Sequence, residues 1–74
     1  MYFNEYPIGA WLDCEFIDNE TGEIFLVESR KGDGEDVEDF IATCQEIADD
    51  NFDDAKFCRL VDPEEAEFLG YDTY

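Results

Sequence analysis

Between Ile8 and Ile17 the side chains alternate in two series: Ala10, Leu12, Cys14 and Phe16 on one parity, Trp11, Asp13, Glu15 and Ile17 on the other. A period of two is that of a half-buried strand, so this stretch predicts a strand with Leu12, Cys14 and Phe16 on its inner face. The following DNETGE, Asp18 to Glu23, has turn chemistry, with Gly22 available for a left-handed backbone, and IFLVESR from Ile24 predicts a returning strand. The two form a β-hairpin. KGDGED, Lys31 to Asp36, is a loop by its glycines.

The period then changes. Val37, Phe40, Ile41, Cys44, Ile47 and Ala48 are spaced as one continuous apolar stripe of a helix, and Asp36 is placed to cap its start. AKFCRLV, Ala55 to Val61, predicts a third strand. DPEE, Asp62 to Glu65, then offers Asp at the N-cap, Pro at the first helical position and Glu at the third. That second helix is short, ending near Leu69 before Gly70. For the tail, Tyr71 to Tyr74, the pattern does not decide between packing and fraying. The order β-β-α-β-α predicts an α+β fold: a small three-stranded, mainly antiparallel sheet, one amphipathic helix packed on it and a short C-terminal helix. Residues 1–74 are expected to form a single acidic domain, with no repeat or linker.

Composition changes this picture in one respect. The 74 residues carry 22 acids against 4 bases and no His, a formal net charge of −18, with 45% hydrophobic and 16% aromatic residues. The apolar content suits a folded core. Solubility of a small domain asks for a net charge of only about 2–8, and the excess repels itself. Gly32 to Asp54 holds ten of the acids and none of the bases, although it contains the main helix. Asp49 and Asp50 lie in the last turn of that helix, where the macrodipole prefers cations, and Asp53 and Asp54 follow. Charge placed against the stability of its own element points to a role outside folding.

Several classes of function are excluded or disfavoured. Phosphate contacts need Lys and Arg, so nucleic acid is not expected as a direct partner, nor is an anionic membrane. No stretch approaches the roughly 20 apolar residues of a membrane span, and Met1 to Tyr6 has no basic start of a secretory leader. Without His, His-based acid–base chemistry and His-ligated metal sites are missing. Cys14, Cys44 and Cys58 lack CxxC spacing and a basic neighbourhood. All three sit on apolar periodic positions, which predicts buried reduced thiols. Counted from Asp18 or Asp33, the sixth position is Glu23 or Glu38 rather than the Gly of a calcium loop. No enzyme activity, cofactor or metal is expected. Arg30, Lys31, Lys56 and Arg59 are expected to make local ion pairs beside the sheet.

What remains is an interaction surface. Glu35, Asp36, Glu38, Asp39, Glu46, Asp49, Asp50, Asp53 and Asp54 would form a phosphate-like array on a helix flank and its adjoining loops. Trp11 is a candidate apolar anchor, since Trp is enriched at binding hot spots. The partner that fits is a basic nucleic-acid-binding protein. Self-association into a homodimer is compatible with the sequence.

IGAWLD, Ile8 to Asp13, followed by an acidic amphipathic helix, resembles the N-terminal domain of ArdA-type antirestriction proteins. The match covers Gly9-Ala10-Trp11-Leu12-Asp13 and, more loosely, the helix from Glu38 to Asn51. The resemblance implies an acidic mobile-element protein that mimics DNA and blocks type I restriction enzymes, acting in the host cytoplasm through a distributed surface. In strategy the chain is similar also to small phage anti-CRISPR proteins. Two other expectations stand beside this one: a generic acidic adaptor for a basic protein, and a halophilic domain of unrelated function.

Overall fold

In the computed structural model, which describes residues 3–74, the N-terminal alternation closes into a hairpin. Strand β1 (Trp11–Asp18) pairs antiparallel with β2 (Ile24–Arg30), from Trp11 opposite Arg30 to Ile17 opposite Ile24. Asp18 organises the turn: its carboxylate accepts from the Glu20 N–H and the Thr21 hydroxyl, each at 3.0 Å, while Gly22 takes φ 78°. The first strand starts at Trp11 and not at Ile8 as the alternation suggests. Gly9, at φ 85°, interrupts the extended backbone, and Ile8 is exposed. The leader expectation rests partly on Met1 and Tyr2, which lie outside the described residues.

Helix α1 (Val37–Asn51) begins as expected, the Asp36 carboxylate accepting from the Asp39 N–H at 2.9 Å. Its stripe buries Phe40, Cys44 and Ala48 against the sheet. Cys44 and Ala48 are small, so the helix approaches closely and the volume is filled by phenylalanines. Leu12, Cys14 and Phe16 of β1 and Phe25 and Val27 of β2 complete this core, with Phe3 closing one end. Phe25 stacks on Phe16 at 5.7 Å and on Phe52 at 4.1 Å between ring centroids. Each such side chain contributes about 1.5–3 kcal/mol when buried.

Strand β3 (Ala55–Val61) pairs antiparallel with the other side of β1, giving the order β2-β1-β3. The register shifts between Glu15, opposite Arg59, and Phe16, opposite Phe57, so Cys58 is left over as a bulge. That extra residue corrects the cysteine expectation. Cys14 and Cys44 are buried, but Cys58 is exposed.

Helix α2 (Pro63–Leu69) follows its N-cap Asp62, whose side chain accepts from the Glu64 N–H at 3.0 Å. It packs on β1, on the face that carries Asp13. The tail also pairs. Thr73 bridges Leu26 in parallel, the Leu26 N–H donates to Asp72 O at 2.8 Å, and the Glu28 N–H donates to Tyr74 O at 2.9 Å. Both faces of the sheet are therefore covered, α1 on one and α2 on the other, while the tail lines the free edge of β2 and sets the Tyr74 ring against Phe25 and Phe52. Leu26 and Val61 are buried on the second face, and so is Asp13, at 3% exposure.

Candidate protein-interaction surface

At roughly 100° per residue, Glu38, Asp39, Glu46, Asp49 and Asp50 fall within an arc of about 120° on the side of α1 opposite Phe40, Cys44 and Ala48. All five are exposed. From Glu38 to Asp50 the helix rises about 18 Å, so these groups average about one per 4.5 Å of axis, in two clusters, Glu38 with Asp39 and Glu46 to Asp50, about 10 Å apart. The helix is rigid because its inner side is locked into the core. Its last turn carries no base, and the Phe52 N–H closes the C-terminus on Ala48 O at 2.8 Å.

The flanking loops extend the array. The half-buried Glu35 folds back, its Oε1 accepting from the Gly32 N–H at 3.0 Å, and Asp36 is occupied as the cap. Asp53 and Asp54 are exposed, with Asp54 Oδ1 accepting weakly from Asn19 Nδ2 at 3.4 Å. Asp49 accepts from Gln45 Nε2 at 2.9 Å. None of these nine carboxylates is in an ion pair among the described residues. The pairs that exist, Arg59 with Glu15 at 3.4 Å and with Glu65 at 3.0 Å, lie on the other face of the sheet.

The bases are not all used as expected. Arg59 makes ion pairs; Arg30 instead lies 5.6 Å from the Trp11 ring centroid and donates from Nε to Gly9 O at 3.3 Å. Lys31 is buried without a carboxylate partner among the described residues. Its Nζ donates to Phe3 O at 3.1 Å and Tyr6 O at 2.7 Å and sits 4.6 Å from the Phe3 ring centroid, tying the N-terminal segment to the hairpin. Trp11 is 54% exposed and lies at the start of β1, outside the α1 array. Phe68, on α2, is 89% exposed.

The charged group that stands out energetically was not among the expected surface residues. Burial pushes the Asp13 carboxyl up to about 6, and the charge of Glu28, its partner across the ladder, adds to the shift. Charge crowding thus acts here as a second cause, after burial. Asp62 moves the other way, held below the usual carboxylate range by the Glu64 N–H and then by the Tyr6 hydroxyl, which donates to it at 2.8 Å. The neighbouring Cys44 thiol, and then burial, push the Cys14 thiol well above its ordinary range. A hint of Asp13's burial is present in the sequence, since Leu26 and Val61 are apolar positions that the second face must hide.

Among the described residues no group of three or more metal-ligating side chains is placed to hold an ion, and no helix is long and apolar enough to cross a membrane. No protein-family model, no curated protein and no solved structure matches the chain.

Proposed function

We propose that the chain is a non-enzymatic inhibitor from a phage or another mobile element, acting in the host cytoplasm as an acidic decoy. It occupies the nucleic-acid-binding groove of a host defence protein, a restriction or CRISPR effector component. The observation that carries this reading is the α1 array: five exposed carboxylates in two clusters, in no ion pair among the described residues, averaging about one per 4.5 Å on a helix clamped to the core. A strand of duplex DNA carries one charge per 3.4 Å of axis. A groove built for phosphates meets a similar charge density, gains the same electrostatic steering, and orders little that is not already ordered. The resemblance of Gly9 to Asp13 to the antirestriction family points the same way.

The test is displacement of a labelled duplex from purified type I restriction enzymes and CRISPR effectors. The wild-type chain is expected to release the duplex with an efficiency that falls steeply with salt. A variant with Asp49, Asp50, Asp53 and Asp54 all changed to Lys is expected to fold and to release nothing. Equal release by the variant removes the array from the mechanism, and no release from any of these enzymes by the wild type removes the function. An acidic adaptor would bind a basic protein without displacing nucleic acid. A halophilic domain would need molar salt to fold, whereas the decoy is folded at about 0.1 M, where screening reaches roughly 10 Å.

A further inference from the structure

A cleft of about 210 Å³ opens on the sheet face opposite α1, lined by Asp13, Glu28, Pro63, Ala66, Glu67 and Thr73. Three of its six lining residues are acids and none is a base. Asp13 reaches it from β1, Glu28 from β2 and Glu67 from α2, with Thr73 contributed by the tail.

An acidic cluster alone says little on a chain with 22 acids. Asp13 is different in kind. At 3% exposure the residue is mostly buried, its carboxylate keeps a small opening onto the cleft, and no described donor reaches it. A buried carboxylate without a donor is costly to hold, and the obvious neutraliser on this face, Arg59, is already engaged by Glu15 and Glu65. Val61 beside it from β3 is apolar.

We infer that this cleft is a binding site for a single organic cation, a guanidinium or primary ammonium group, which enters between Glu28 and Glu67 and completes the hydrogen bonding of Asp13. The carboxylates are not gathered tightly enough for a metal, and Mg²⁺ demands near-octahedral oxygens at about 2.0–2.1 Å. A guanidinium carries five donors on a planar fork and bridges acids set farther apart, at about 2.7–2.9 Å to each oxygen. At about 30 Å³ per water molecule, the cleft has room for such a head group and a few waters. The site does not rest on the decoy reading: it uses none of the α1 carboxylates and lies across the sheet from them. The cation arrives either on an arginine or lysine side chain of a protein or as a free small amine.

The test is an NMR titration of the isotope-labelled full chain at pH 7.5 and constant ionic strength. The probes are N-acetyl-arginine amide, agmatine and MgCl₂. Saturable shifts are expected at Asp13, Glu28, Glu67 and Thr73 with either organic cation. Response to the blocked arginine supports a side-chain source, and response to agmatine alone supports a free amine. At a probe concentration about ten times Kd, the apparent pKa of Asp13 should fall by about one unit, because only the ionised form binds. Asp13→Asn should abolish saturation, and the double variant Glu28→Gln/Glu67→Gln, changed only at the exposed walls, should weaken it about tenfold. Shifts that do not saturate, that persist in both variants, or that MgCl₂ reproduces would overturn the site.

Discussion

Replacing Asp13 by Asn should make the protein more stable at neutral pH and should flatten its pH dependence. Asp13 titrates at about 6 in the fold, against about 3.9 in an unfolded chain. Between those values the folded state holds a proton that the unfolded chain has released, so acidification favours folding. The penalty is fully present above the folded pKa and is gone below the unfolded one. Two pKa units amount to about 3 kcal/mol; the carboxylate lies at the wall of an open cleft, and solvent screening brings this to about 1–2 kcal/mol. Asn keeps the shape, carries no charge, and can donate its amide to Glu28. Urea denaturation at 0.15 M NaCl from pH 8 to pH 4.5 is the assay, since guanidinium would both screen the charges and enter the cleft. The wild type should gain about 1–2 kcal/mol on acidification, whereas Asp13→Asn should start higher by the same amount and change less. At neutral pH the gain corresponds to a rise in Tm of several degrees for a domain of this size. A wild type whose stability is flat or falls over this window, with the variant parallel to it, would refute the reasoning.

Two further outcomes follow from buried groups elsewhere. Lys31→Met keeps the length of the side chain but leaves the Phe3 and Tyr6 carbonyls without their donor, and should cost about 1.5–3 kcal/mol in the same denaturation assay. In the folded protein an alkylating reagent should modify Cys58 alone, slowly because its thiol is pushed up by partial burial and then by Glu15; mass spectrometry after brief treatment would show one adduct, rising to three in urea. Early modification of Cys14 or Cys44 would contradict their burial.

Much of the architecture could be read from side-chain order because each element carries its own period. Alternation at Leu12, Cys14 and Phe16 and the stripe from Val37 to Ala48 both face the same core, and Asp36, Asp62 and Gly70 mark boundaries by local chemistry. The second face could not be read so easily. The tail is held by backbone groups of Leu26 and Glu28, which leave no trace in residue type. The bulge at Cys58 shifts the parity of β3, so an apolar position turns outward. Asp13 looks like an ordinary polar position of an alternating strand until α2 and the tail are placed over it. The placement of the five acids on α1, by contrast, needed only the helical period; what the sequence withheld was that Asp36 and Glu35, in the loop before the helix, are partly used in local hydrogen bonds.

The bulge has a bearing on how such a chain behaves in a crowded cell. The tail shields the outer border of β2, which leaves β3 as the margin where another strand could dock. There the ladder is kinked at Cys58, and Lys56 and Arg59 flank the kink. Irregular margins that carry a lysine, as Lys56 does here, resist edge-to-edge growth, which guards a protein with seven phenylalanines in 74 residues against polymerising along this strand.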